Sequence, residues 1–457
     1  MASVSHEHLL PQVEQAMVRL LETCAEPLAR ATGFIQRQGP KITGANFAQT
    51  LILGFLHDPQ ASLEALAQFG AEVGLDITAQ GLDQRLTERA AGFLQALFEV
   101  ALAQVVVADP VAIPLLSRFA AVNLEDSSVV GLPDELAHLF GGCGGHHGGK
   151  GHQSAFKLQV RLEMLRGQLT CAPLQDGRAA DTKTPLRAVS SPARSLHIRD
   201  RGFVDVKRWQ AEAEAGQYVL SYYKSQGHLF DEQGQPLDLL WHLAQREACG
   251  EMAVLVGEDE RLPMRLLFER VPAEVARERR RRLRREAQTS GRAYSHVLDL
   301  LAGWTIVLST APADVLSLSE AVVLLRLRWQ IELLFKLWKQ HGVLDEWRSQ
   351  KPWRILCEVY AKLIGLLIQH WLLIVSCWHE PHRSLVKAAK AVRSHAILLA
   401  AALAGALDLR VALQRTQRAI QAGSRLNSRR DAPNTSQLLL AGHNQWSSKP
   451  IKEKKRR

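Results

Sequence analysis

The stretch that most restricts the fold is Leu324 to Lys339, LLRLRWQIELLFKLWK. At about 100° per residue, Arg328, Trp329, Glu332, Lys336 and Lys339 fall on one face of a helix. Leu324, Leu327, Ile331, Leu334 and Trp338 gather on another. Ser317-Leu-Ser-Glu320 has the spacing of a capping box, in which two side chains satisfy free backbone donors, and Gly342 follows a last turn carrying Lys339. The spacing therefore predicts a long helix of fixed register, with one face packed and the other charged. Arg328 and Glu332 are four residues apart, so a solvated ion pair accounts for them as a minimum. The sharper reading is a Glu332 that holds a metal ion, with the flanking cations meeting phosphate oxygens.

Upstream the periodicity changes twice. Residues 1 to 115 carry apolar helical repeats such as VEQAMVRLLETC and RAAGFLQALFEVALAQVVV, separated by Gly and Pro, and predict a helical domain. Within it, SLEALAQFGAEVGLDITAQGLDQRLTER reads as two helices broken near Gly74, with Thr78 capping the second. Gln80, Asp83, Gln84 and Arg85 lie on its outer face, a helix-turn-helix arrangement that any two packed helices also match.

From Ala120 the pattern is that of strands: AAVNLEDSSVVGL, AFKLQVRLEML, GQLTCAPLQ and SLHIRD. Asp126 sits inside the first and Asp200 ends the last. Carboxylates at strand ends beside a helix bearing Glu332 can converge on two divalent ions, for which Mg²⁺ favours oxygen donors. Glu125, Asp134, Asp181 and Asp205 are the neighbouring acids that a shifted register would choose instead.

The motif Leu325-x-x-Arg328-x-x-x-Glu332-x-x-x-x-x-x-Lys339 resembles the Tyr-Arg-Glu-Lys signature of bacterial cut-and-paste insertion-sequence transposases, the insertion-sequence-four-like DDE type with an RNase H-like core. Glu125-Asp126-Ser127-Ser128 and Asp200-Arg201-Gly202-Phe203 resemble that family's first and second Asp segments. Leu325 stands where the family has Tyr, which removes a hydroxyl able to bond a DNA phosphate. The resemblance implies an α/β fold: an RNase H-like catalytic core of mixed sheet flanked by helices, an inserted β-rich subdomain, and helical N- and C-terminal domains. It further implies Asp126, Asp200 and Glu332 as a catalytic triad holding two Mg²⁺ ions, with Mn²⁺ as a substitute. Arg328, Lys336, Lys339 and Arg201 would contact DNA, and the N-terminal domain would bind the element's ends. Relatives stack a flipped base on a Trp placed like Trp304, and packing is the alternative for it; Trp329 lies beside Glu332 as a further DNA-contact candidate.

The expected division is a DNA-end-binding domain at 1–115, core at 116–205, insertion at 206–302, core with the catalytic helix at 303–375 and a helical C-terminal region with a basic tail at 376–457. Within the insertion, GQYVLSYYK, PLDLLWHL, EMAVLVG and RLPMRLLFERV read as strands. It closes on AEVARERRRRLRREAQ, where Arg279, Arg280, Arg281 and Arg282 form either a solvated helix face or a DNA-tracking one.

A formal charge of +10 fits a polyanionic partner. Double-stranded DNA, as element ends and target, is the expected one, bound by a homodimer. Six dispersed cysteines without a CxxC pair give no zinc framework and fit a reducing cytoplasm. The N-terminus shows no export signal, so a nucleoid-associated cytoplasmic protein is expected. Leu363 to Trp378 is apolar, but with Gln369 and His370 inside it reads as a core helix rather than a membrane span. The Gly- and His-rich run Phe140 to His152 is given no role. Two rival readings remain from the sequence: an inactive, transposase-derived DNA-binding protein, and a nuclease without strand transfer.

Overall fold

The computed structural model describes residues 7–37, 41–143, 153–225, 227–245, 248–291, 293–380, 383–426 and 433–442. Most of the Gly/His run and the basic tail lie outside them.

Ten strands form one sheet: β1 (Val122–Leu132), β2 (Ser154–Glu163), β3 (Leu169–Cys171), β4 (Gln175–Asp176), β5 (Leu196–Arg199), β6 (Tyr218–Tyr222), β7 (Leu229–Phe230), β8 (Cys249–Val256), β9 (Leu262–Arg270) and β10 (Trp304–Ser309). The order is β3-β2-β1-β5-β6-β10-β9-β8-β7, with β4 paired to β2. β1 runs antiparallel to β2 and parallel to β5, and β5 runs parallel to β6. Three antiparallel strands followed by two parallel to the first is the RNase H-like arrangement expected from the sequence. β2 and β5 are buried along almost their whole length, as strands covered on both faces must be.

The insertion does not build a separate sheet. β10 pairs antiparallel with both β6 and β9, so β9, β8 and β7 extend the core sheet beyond β6. It nevertheless has its own apolar cluster, centred on Trp209, Leu266, Phe268 and Leu308. The predicted strand PLDLLWHL is instead a short helix, Leu239–Ala244, because the Asp238 carboxylate accepts from the Trp241 N–H and starts a turn.

The N-terminal helices, the RNase H-like strands and the C-terminal helices share one core. Its axis is the helix Pro352–Cys377, buried throughout from Ile355 to Cys377. Length and composition alone would let that helix cross a membrane, but its most apolar window is wholly buried among the other helices. It meets the helix Gly44–His57 closely: a Cβ at Gly365 would lie 3.1 Å from the Ile52 carbonyl oxygen. The helix-turn-helix candidate comprises Leu63–Ala71 and Ala79–Arg85. Gly74 takes φ +71 between them, and the Thr78 hydroxyl accepts from the Gly81 N–H at 3.1 Å. Gln80, Gln84 and Arg85 are exposed. Asp83, expected on that same outer face, instead turns towards the helix Pro352–Cys377, where Lys351 at 2.5 Å and Arg354 at 3.2 Å pair with it.

Candidate active site

The predicted long helix is present in three joined segments. Ser317 and Glu320 form the capping box that starts Leu318–Arg326. The path bends at Leu327, continues as Arg328–Lys336, and ends in a wider turn, Leu337–His341. Gly342 closes it as expected, but the left-handed residue is Val343, at φ +48. Leu325, in the position of the family's Tyr, is 2% exposed and faces the core.

The helix Arg328–Lys336 lies against β1. Asp126 stands in the middle of that strand and Asp200 follows the last residue of β5, so the parallel ladder delivers both aspartates to one end of the sheet. Arg328 joins the set. One guanidinium nitrogen lies 3.6 Å from an Asp126 oxygen and 3.7 Å from an Asp200 oxygen, and the other lies 2.5 Å from Glu332. Three carboxylates separated by up to 206 positions in the chain therefore converge on one cationic group.

Burial pushes the Asp126 carboxyl up to about 6. The Ser127 N–H, at 2.8 Å, and Arg328 oppose this, while Asp200 and Glu332 reinforce it. Like charges this close favour a bound cation, and an all-oxygen donor set suits Mg²⁺. As the side chains are placed, no three His, Cys, Asp or Glu among the described residues surround a common ion position. The guanidinium of Arg328 takes the central place, which shows that the three carboxylates can gather around a positive charge.

The competing acids separate clearly. Glu125 points to the opposite face of the sheet, Asp134 is exposed, and Asp205 caps the helix Val206–Glu214 while pairing with Arg187 at 2.9 Å. Asp181 is closer to the set: it accepts from the Ser127 hydroxyl at 2.8 Å and pairs with Lys157 at 2.9 Å. The sequence marks Asp181 only as a neighbour, because its approach depends on a loop folding back.

The surrounding cations differ in availability. Lys336 is exposed, whereas Lys339 donates to the Val129 carbonyl of β1 at 2.8 Å, and burial lowers its pKa. Arg201 is exposed with its guanidinium 5.6 Å from the Tyr222 ring centre. Trp329 is 54% exposed, while Trp304 is half-buried against Phe268 and beneath Arg270. The Arg-rich segment is a helix, Ala273–Ser290. Arg279 donates to the Trp304 carbonyl at 2.8 Å and to the Thr305 hydroxyl at 3.2 Å, and Arg280 donates to the Asp299 carbonyl. Arg281 and Arg282 project into solvent, paired with Glu278 and Glu286 of the same helix.

Comparison with known proteins identifies the family. Residues 124–368, which span all three carboxylates, match the family model described as "Transposase DDE domain". The transposase for insertion sequence element IS231F of Bacillus thuringiensis subsp. israelensis is 25% identical over 387 residues, covering 79% of this chain and 80% of the relative. The transposase of IS1151 from Clostridium perfringens is 23% identical, covering 76% and 77%. A solved structure, the piggyBac transposase synaptic complex with hairpin DNA, aligns over 90% of this chain and 80% of its own at 10% identity, with a TM-score of 0.43. With an RNase H-like sheet, three acids gathered around Arg328 and a family match across more than half its length, the chain belongs to the DDE transposases of insertion sequences.

Proposed function

We propose that this transposase binds the terminal inverted repeats of its insertion sequence, cleaves the DNA ends, forms and reopens a hairpin there, and joins the ends to target DNA. The observation that carries the reading is the gathering of Asp126, Asp200 and Glu332 around the single guanidinium of Arg328. Those three carboxylates would hold two Mg²⁺ ions, or Mn²⁺ in their place. When bound, the ions would supply an activated oxygen nucleophile and charge stabilisation for both attacking and leaving oxygens.

The protein's own groups position the strand. Arg328, Lys336 and Lys339 lie on the helix face bearing Glu332 and would take the phosphates flanking the scissile bond, with Arg201 beside Asp200 and Trp329 at the outer rim. Four displacements follow in sequence. Water breaks the phosphodiester at the end and leaves a 3′-hydroxyl. That hydroxyl attacks the phosphorus of the opposite strand, closing the hairpin and expelling the 3′-oxygen of the flanking DNA. Water reopens the hairpin and frees the 3′-hydroxyl again; this attacks a target phosphorus, expelling the target's own 3′-oxygen. The N-terminal helices, through Gln80, Gln84 and Arg85, would read the end, and two protomers would bring two ends together. Trp304 would stack a base flipped out at the hairpin. Arg281 and Arg282 would follow the backbone, whereas Arg279 and Arg280 serve that surface by anchoring the helix.

Incubating the protein with its own flanking end sequence and Mg²⁺ tests the proposal. Nicked, hairpin and strand-transfer products are expected. Cutting without joining would leave a nuclease, and a shifted but intact duplex would leave a DNA-binding protein. Trp304→Ala is expected to reduce hairpin formation more than the first nick; equal loss at both steps would remove the stacking role.

A further inference from the structure

Behind the two aspartates, on the other face of the sheet, lies a set of charges centred on the fully buried Glu125 and Arg199, with no part in the chemistry above. Successive strand residues point to opposite faces, so Glu125 and Arg199 face away from Asp126 and Asp200. Glu125 is 0% exposed and receives three guanidiniums: Arg199 of β5 at 2.9 Å, Arg161 of β2 at 2.8 Å and Arg208 of the helix Val206–Glu214 at 2.9 Å. Arg199 and Arg208 also share Glu212, at 2.5 and 3.0 Å. Burial alone would raise the Glu125 carboxyl, but the guanidiniums more than offset it and hold it well below the usual range.

The register gives this set its significance. The parallel ladder between β1 and β5 runs from Val122↔Leu196 to Glu125↔Arg199 and stops there. The next residues on the two strands are Asp126 and Asp200. Beyond the last backbone pair, the aspartates' separation is governed by side chains, and the Glu125–Arg199 pair is the final cross-link before them. Arg161 extends the row to β2, opposite Glu125, and donates to the Leu186 and Val189 carbonyls. Apolar residues of similar volume often stabilise a core as well as buried ions do. What forked guanidinium pairing adds is fixed direction and spacing.

We infer that Glu125, with Arg199, Arg161, Arg208 and Glu212, is a positioning cluster that sets the spacing of Asp126 and Asp200 for divalent metal binding. The inference rests on the two-aspartate metal reading given above.

The test is Mn²⁺ binding to the full chain without DNA, followed by calorimetry or electron paramagnetic resonance, with melting recorded for each variant. Arg199→Lys keeps the charge but loses the fork. Glu212→Gln keeps the side chain's size but removes the charge shared by Arg199 and Arg208, and carries the same prediction should Arg199→Lys fail to fold. Both are expected to weaken Mn²⁺ binding by about ten-fold or more at temperatures where they remain folded. Leu413→Ala, in the C-terminal helix Leu409–Ala422, opens a cavity at a 0% exposed position and is expected to lower the melting temperature with unchanged Mn²⁺ affinity. Wild-type affinity in both cluster variants, or equal weakening in Leu413→Ala, would overturn the inference. A wild-type chain that binds no Mn²⁺ would instead remove the metal reading, and the inference with it.

Discussion

Replacing Asp126 by Asn should make the metal-free protein more stable, not less. Asp126 has a side chain only 16% exposed, and burial, helped by Asp200 and Glu332, raises its pKa from 3.8 to about 6. A group protonated more readily in the folded state contributes stability at low pH, which is lost as pH rises from the unfolded value through the folded one. Above about pH 6 wild type therefore carries the full penalty, roughly two units at about 1.4 kcal/mol each, or about 3 kcal/mol. Asn is neutral at every pH and keeps an oxygen for the Ser127 N–H, while Arg328 retains Asp200 and Glu332. Melting in EDTA should place Asp126→Asn several degrees above wild type at pH 7.5, the gap closing towards pH 4. Saturating Mn²⁺ should reverse the order: a ligand at about 1,000 times its Kd stabilises wild type by about 4.1 kcal/mol, more than the penalty, and the variant lacks a ligand for it. An Asp126→Asn variant that melts at or below wild type in EDTA at pH 7.5, or a gap that ignores pH, would refute a burial penalty at Asp126.

Further outcomes follow from the same geometry. Arg328→Ala removes a cation that competes for all three carboxylates, so calorimetry should show tighter Mn²⁺ binding without DNA, by about ten-fold or about 1.4 kcal/mol, while strand transfer falls. Replacing Arg281 and Arg282 together by Ala should flatten the log–log salt dependence of end binding by about 1.8 with melting nearly unchanged, because exposed ion pairs are worth about 0–1 kcal/mol. Arg279→Ala should show the opposite balance, with melting lowered by loss of the bonds to Trp304 and Thr305. Leu325→Tyr should cost about 1–3 kcal/mol in denaturant unfolding and leave end cleavage no faster than in wild type, because the position is packed in the core.

What could be read in advance follows the range of the interactions involved. The capping box at Ser317, the helix face carrying Arg328 and Glu332, and the strands bearing Asp126 and leading to Asp200 depend on neighbours a few residues apart, and local pattern exposes them. The bend at Leu327 has no such mark, since neither Gly nor Pro is present there. PLDLLWHL misled because its apolar content suits a strand, while the decisive group is the single Asp238 carboxylate beneath a turn. The joining of the insertion to the core sheet depends on which distant strand pairs with Trp304–Ser309, and composition does not encode lateral order. The Glu125 cluster did leave a trace: a charged residue in an apolar strand immediately before each catalytic-candidate Asp. Neither LED nor HIRD, alone, reveals that these charges meet each other across the sheet.

The continuous sheet explains why an insertion of this size can sit beside a site that needs fixed distances. Without β10, strand β6 would present an open edge; β10 covers it and is itself covered by β9. From β9, the Arg265 guanidinium donates to the Ala311 and Leu316 carbonyls at 2.9 and 2.8 Å, gripping the segment that leads into the Ser317 cap. At the opposite end of β10, Arg279 holds the Trp304 carbonyl and seats the Arg-rich helix. The insertion thus fixes both the start of the helix carrying Glu332 and the base of the exposed Arg281–Arg282 surface. A DNA strand lying on that surface would be registered against the carboxylates through hydrogen-bonded backbone along the whole path, not through a flexible linker.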